Sequence, residues 1–175
     1  MIILSCNSKS DRRNAQIKNQ TTDSLTKYFD YDEIDYYSSS KYDDSSIIIL
    51  YDNKSKSEID SFKMGVVLGD IPKSILDTAF IDKLKQIGYN KKTIENSKFK
   101  EIDEIFKEKA INNSFDAACI YIYKDILIFR KKNKTIGIAK ICIDCWAKEI
   151  YGTNANTETF GQDGDYEKLK TILQK

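Results

Sequence analysis

Residues 126–142 read ILIFRKKNKTIGIAKIC, and this stretch decides the fold that the sequence predicts. Its two strand-like runs, 126–131 and 135–142, flank the polar connection Lys132-Asn133-Lys134. This pattern is typical of two antiparallel strands joined by a tight turn. The run 119–123 just before the hairpin is also strand-like. We therefore expect three consecutive strands, an antiparallel meander, in the second half of the chain.

Changes in hydrophobic period predict the elements on either side of this meander. Strand-like patterns lie at 33–37, 46–51 and 149–151. The second of these is apolar on both faces and predicts an inner strand. Apolar residues at spacings of three and four predict helices at 57–69, 72–88, 95–110 and from about 165 onward. This order indicates an α+β protein: an antiparallel β-sheet (meander) with three central helices and a C-terminal helix packed on it.

Length and composition favour one domain without a nucleic-acid partner. The chain has 175 residues, and its 28 basic and 27 acidic side chains give a formal net charge of +1. This balance creates no field that would attract a polyanion. The chain has no histidine, which excludes histidine-dependent triads and histidine-rich metal sites. Because no phosphate-binding loop or nucleophile elbow is present either, we predict no cofactor and see no enzymatic signature.

The first residues, MIILSC, are followed by the polar run NSKSDRR. This abrupt change at Cys6 is similar to a bacterial lipobox, in which the cysteine is lipidated. A signal peptide needs a basic start and an apolar stretch of about 7–15 residues, whereas five residues precede Cys6. We therefore interpret residues 1–24 as a clipped signal remnant and polar tether, and residues 25–175 as a single α+β domain. The alternative is a cytosolic chain whose apolar start is a coincidence.

The segment Cys142-Ile143-Asp144-Cys145 is the most specific local motif. A C-x-x-C pair can be a redox couple, half of a zinc site, a structural disulfide, or two buried cysteines that act as small apolar residues. A disulfide requires a turn that starts at Ile143, because residues three apart on a straight strand are too distant. A zinc site would need Cys6 or a carboxylate such as Asp144. The strand-like pattern that follows Cys145 disfavours a redox couple, which needs a helix there.

Residues 136–142 also predict how the third meander strand is covered. Cys142 ends this strand, and we expect Trp146 to help cover the sheet beside it. The small residues Gly137 and Ala139 share the opposite face with Ile141, which would let a helix approach closely.

The loop at 153–165 is rich in side-chain oxygens but does not have the spacing of an EF-hand calcium site. We interpret Asp163 or Asp165 as the N-cap of the last helix.

Three segments resemble a group of uncharacterised envelope proteins and lipoproteins from Bacteroidetes-type bacteria. They are Ile126-Leu127-Ile128-Phe129, Ile141-Cys142-Ile143-Asp144-Cys145 and Phe160-Gly161-Gln162. In this group a β-hairpin runs into an I-C-x-x-C segment. The resemblance implies an address in the cell envelope, and it implies no activity.

Three hypotheses follow for the function. The first is a non-enzymatic envelope lipoprotein, anchored through Cys6, that binds a protein partner. The second is a cytosolic immunity or inhibitor protein that acts against a toxin. The third is a thiol-disulfide protein that uses Cys142 and Cys145.

Overall fold

The computed structural model of the protein describes residues 25–110 and 119–174. Within these ranges five strands form one sheet in the order β2-β1-β3-β4-β5, and every neighbouring pair is antiparallel. The elements are β1 (Glu33–Ser38), α1 (Asp44–Asp52), α2 (Glu58–Leu68), β2 (Asn90–Thr93), α3 (Phe99–Ile105), β3 (Asp125–Lys131), β4 (Lys134–Cys142), β5 (Ala147–Tyr151) and α4 (Asp165–Gln174). The predicted α+β class is confirmed.

The sheet is the middle layer of three. On one face Leu127 and Ala139 pack against residues of α3 and α4. On the other face Ile126 and Ile138 pack against residues of α1 and α2. Because β3 is buried on both faces, all four residues of its run 126–129 must be apolar.

The β3–β4 hairpin closes as predicted. Lys132 and Asn133 connect the two strands, and both have positive φ, as a two-residue type I′ turn requires. The backbone N–H of Lys132 donates to the carboxylate of Asp32, which helps to fix the turn. A bulge interrupts the register between Phe129 and Arg130.

The predicted inner strand at 46–51 is wrong, because this segment is helix α1. Asp43 accepts a hydrogen bond from the N–H of Ser46 (2.7 Å), and the Ser46 hydroxyl accepts one from the N–H of Asp43 (2.9 Å). This capping box starts a helix despite the isoleucines that follow. Only Ile47 among the residues of α1 is buried, whereas Ile49 is largely exposed.

The middle of the chain is less helical than predicted. Helix α2 and its left-handed terminator Gly69 are confirmed. The segment 72–88, predicted as a helix, is a series of turns with a short 3₁₀ helix at Ile81–Lys83, and its Leu76 side chain is 88% exposed. The Ser74 hydroxyl accepts from the N–H of Leu76, a local bond that competes with helix formation.

Three other elements differ from the prediction. Helix α3 occupies less than half of the predicted 95–110 range. The predicted strand at 119–123 is not part of the sheet, and the N–H of Tyr123 donates instead to the carbonyl of Val67 at the end of α2. Strand β2 was not predicted, because its four residues are polar and exposed and give no hydrophobic pattern.

Phe29 occupies the space above Gly137 of β4, whereas Ala139 on the same face packs in the cluster that contains residues of α3 and α4. A Cβ atom on Gly137 would lie 2.4 Å from Cε1 of the Phe29 ring. That ring packs in turn against Phe129, with ring centroids 4.4 Å apart. The absence of a side chain at Gly137 therefore admits an aromatic ring from the segment before β1.

The predicted tether and Cys6 lie outside the described residues. Among the residues that are described, no helix is long and apolar enough to cross a membrane.

Candidate functional site

Three cysteines meet at one corner of the sheet. Cys142 ends β4, and the four-residue turn Ile143–Trp146 then leads into β5. Cys145 in this turn forms a disulfide with Cys119, which is 26 residues away. A turn after Cys142 was the requirement for a Cys142–Cys145 bond, and the turn exists, but Cys145 has a different partner. A Cys142–Cys145 disulfide, one of the alternatives that the sequence left open, is therefore not the pairing found.

Cys142 is a free thiol and is only 2% exposed. It lies in a small apolar cluster with Cys145 and Tyr123, against which Ala147 packs. Burial raises the pKa of the Cys142 thiol, and backbone N–H groups of Ile122 and Cys145 oppose this shift only in part. A buried thiol with a raised pKa is a poor nucleophile at neutral pH, so Cys142 does not resemble the low-pKa cysteine of a redox enzyme.

Large exposed side chains lie next to the two cysteines of the disulfide in the sequence. Ile120 and Tyr121 directly follow Cys119 and are 47% and 41% exposed. Trp146 directly follows Cys145 and is 53% exposed, so a large part of the side chain that was predicted to cover the sheet is accessible to solvent. Its backbone carbonyl accepts a hydrogen bond from the hydroxyl of Tyr166 in α4 (2.6 Å), which holds the turn against the domain. We refer to Ile120, Tyr121 and Trp146 as the aromatic corner.

A polar pocket of about 280 Å³ lies beside the aromatic corner and shares the 143–146 turn with it. It is bounded by the ends of β1 and α4 and by the residues that lead into β3. The carboxylate of Asp125 accepts a hydrogen bond from the hydroxyl of Tyr36 (2.5 Å), and burial raises the pKa of Asp125. Lys124 and Asp144 form an ion pair of 2.7 Å at the same pocket.

Two other buried charges have structural partners. Asp35 accepts from Lys91 at 2.8 Å and from Arg130 at 3.0 Å, which ties β1 to both of its neighbouring strands. Lys140 is fully buried and donates to Glu149 at 3.0 Å and to the carbonyl of Ile71 at 2.8 Å. Buried charges with such partners are expected in a well-packed domain and do not indicate catalysis.

Asp165 is not the N-cap that the sequence predicted. It is the first residue of α4, and its carboxylate accepts from the N–H of Gly161 and from Lys109. Asp163 lies in the preceding 3₁₀ turn with a positive φ.

The sequence identified two of the three cysteines in this corner and missed Cys119. The signal for it was the number of cysteines: with Cys6 set aside as a lipidation site, three remain and one must be unpaired. Within the described residues, no group of three histidine, cysteine or carboxylate side chains is arranged to hold a metal ion. Comparison with protein-family models, with curated proteins and with solved structures found no match.

Proposed function

We propose that the protein is a non-enzymatic binding module of the bacterial cell envelope, anchored by a lipid at Cys6, that binds a protein partner through the aromatic corner. The observation that carries this proposal is the exposure of Trp146, Tyr121 and Ile120 around one disulfide. Tryptophan and tyrosine are the residues most often found at the energetic centre of protein interfaces. The disulfide holds the two segments together before binding, which lowers the ordering cost of association.

The neighbouring pocket specifies the chemistry of the partner further. It presents the Asp125 carboxyl, the Lys124–Asp144 ion pair and several serine hydroxyls from the end of β1. A partner that fits both features has an apolar cleft for Trp146 and a polar side chain beside that cleft. Such an arrangement, an apolar centre with polar groups at its edge, is the usual anatomy of a protein interface.

The binding surface is tested by matched alanine variants. Trp146→Ala and Tyr121→Ala remove the aromatic corner, whereas Tyr51→Ala removes an exposed tyrosine on α1 that lies outside it. The partner is identified by capture on the wild-type protein from an envelope extract, and it is then purified and titrated. We expect Trp146→Ala to weaken binding by about 30-fold or more, as for a hot-spot residue, and Tyr51→Ala to leave it unchanged.

Titration also gives a direct signal, because Trp146 is the only tryptophan in the chain. Burial of its indole on binding should shift its fluorescence emission to shorter wavelength. Equal affinity for wild type and Trp146→Ala would refute the assignment of the surface. A captured partner that is a toxin would favour the cytosolic immunity protein over the envelope protein.

The lipid anchor is tested separately. Cells that express the gene from its own locus are labelled with a clickable palmitate analogue, and the protein is then isolated. We expect label in the wild type and none in Cys6→Ser. Absence of label in the wild type would contradict the lipid anchor and the envelope location, and it would favour the cytosolic alternative.

A further inference from the structure

The cysteine corner holds a disulfide and a free thiol close together. Cys142 and Cys145 belong to the same buried cluster. The backbone N–H of Cys145 also partly opposes the rise in the pKa of the Cys142 thiol, so the two residues are neighbours. Cys145 is therefore the central cysteine of the three: it is bonded to Cys119 and shares a buried cluster with Cys142.

The backbone at the corner is compatible with a second pairing. Cys142 is the register partner of Ala147, so the residues between them form a hairpin loop that reverses the chain. Chain reversal brings residues three apart within the ~7 Å Cα separation that a disulfide can span. The objection that applied to a straight strand does not apply to this loop.

We propose that Cys119, Cys142 and Cys145 form an internal thiol–disulfide exchange site. The Cys142 thiol loses its proton to solvent, and its sulfur attacks the sulfur of Cys145. The Cys142–Cys145 bond forms, the Cys119–Cys145 bond breaks, and the Cys119 sulfur leaves with the electron pair and takes up a proton. One disulfide and one thiol are present before and after, so the step needs no external oxidant or reductant.

Exchange moves the thiol from the interior to the surface. Cys142 is buried, whereas Cys119 is exposed. A thiolate that leaves into solvent is better stabilised than one that remains in an apolar cluster. Once released, Cys119 can react with a disulfide of low molecular weight, RSSR, to give a Cys119–SR mixed disulfide and RS⁻. The exchange therefore creates a modification site that is absent from the resting pairing.

The reactivity of Cys142 limits the rate of this step. Four titratable groups are electrostatically coupled to its sulfur: Asp144, Lys124, Tyr123 and Tyr166. Burial is the largest cause of the raised pKa of Cys142, so the reactive thiolate is scarce at neutral pH. We expect exchange to accelerate as the pH rises toward the pKa of Cys142.

Exchange would also change the aromatic corner, and this consequence rests on the proposed function. The Cys119–Cys145 bond links the segment that carries Ile120 and Tyr121 to the turn that carries Trp146. After exchange, no covalent bond at this point holds the two halves together. We expect the Cys142–Cys145 form to bind the partner more weakly.

The sequence allows the two pairings to be distinguished by peptide mapping. Tryptic cleavage after Lys109, Lys124, Lys140 and Lys148 places Cys119 in one peptide, 110–124, and both Cys142 and Cys145 in another, 141–148. In the resting pairing the two peptides are joined by a disulfide. In the exchanged pairing peptide 110–124 carries a thiol, and peptide 141–148 contains an internal disulfide.

The experiment uses the oxidised full-length protein with the substitution Cys6→Ser, so that Cys119, Cys142 and Cys145 are the only cysteines. Native protein is incubated with iodoacetamide at neutral and at alkaline pH, quenched with acid, digested and mapped. We expect carbamidomethyl label on Cys119, together with the internally bonded peptide 141–148, and faster labelling at the higher pH. In Cys142→Ala, we expect labelling of Cys119 to fall at least tenfold.

Three results would overturn the proposal. One is label on Cys142 with the Cys119–Cys145 bond intact. Another is no label during a period in which denatured protein labels completely. The third is unchanged labelling of Cys119 in Cys142→Ala. Peptide mapping of unlabelled Cys142→Ala and Cys142→Ser verifies that the Cys119–Cys145 bond still forms in folded protein. The peptide mapping uses no partner, so it can contradict the exchange site while the binding assays support the aromatic corner. Equally, the binding assays can contradict the aromatic corner while the mapping supports the exchange site.

Discussion

Reduction of the Cys119–Cys145 disulfide should lower the free energy of unfolding by an amount set by the length of the loop that it closes. The two cysteines are 26 residues apart. In the chain-entropy model, a loop of this length corresponds to about 3.5 kcal/mol at 25 °C. A Cys142–Cys145 bond would close a loop of three residues, for which the same model gives about 1.6 kcal/mol. The two pairings therefore predict different losses on reduction.

Urea denaturation with and without a reductant measures this loss in three proteins. We expect the wild type and Cys142→Ala each to lose about 3.5 kcal/mol on reduction, or about 7–14 °C in Tm for a domain of this size. Cys119→Ala should lose at most about 1.6 kcal/mol, because only the short loop remains available to it. Cys142→Ala itself should cost about 0.5–1.5 kcal/mol, because it deletes a small buried side chain. The assigned pairing is wrong if Cys142→Ala is insensitive to reductant, or if Cys119→Ala loses as much as the wild type.

Three further substitutions test the packing and the buried charges. Gly137→Ala places a Cβ against the Phe29 ring, and this crowding should lower the free energy of unfolding by about 1–3 kcal/mol. The stiffer unfolded chain of the variant should offset up to about 1 kcal/mol of that loss. An unchanged denaturation midpoint would show that the ring can move aside. Glu149→Ala leaves Lys140 buried without a counter-ion and should cost about 3–5 kcal/mol, and Lys140→Met in the same chain should recover most of that loss; if Lys140→Met restores no stability, the loss in Glu149→Ala does not come from the unpaired charge of Lys140. Burial raises the pKa of Asp125, so this carboxyl contributes stability at acid pH that is lost as pH rises through its folded pKa. Asp125→Asn should therefore be more stable than the wild type at neutral pH and should lose that advantage in acid, as unfolding curves across pH would reveal; an advantage that is independent of pH would contradict the titration.

The hairpin at 126–142 was predictable because two independent requirements agree there. Strand β3 is covered on both faces, so Ile126 to Phe129 must all be apolar, and such a run is visible in any sequence. The turn residues Lys132 and Asn133 form a polar break between the two runs, which is typical of a short connection between strands, and both adopt the positive φ that a type I′ turn requires. Where only one requirement applies, the prediction weakens. The isoleucines of α1 favour a strand by propensity, and only the capping box formed by Asp43 and Ser46 indicates a helix.

The cysteine corner illustrates a different limit. Cys142 and Cys145 are three residues apart, so their proximity depends on one local turn, and that turn could be stated as a requirement from the sequence. The position of Cys119 depends on the path of the segment 119–124. A hydrogen bond from Tyr123 to Val67 sets part of this path, because it attaches the segment to the end of α2 instead of to the sheet. The segment is rich in isoleucine and tyrosine like a strand, but Ile120 and Tyr121 are both exposed and Ile122 and Tyr123 are both buried, so it lacks the alternation of a sheet strand. A neighbouring helix and a turn bury Ile122 and Tyr123. The residue types of a segment indicate that part of it is buried and not which element buries it. The partner of Cys145, and with it the surface we propose for binding, is therefore decided by tertiary contacts that no local pattern contains.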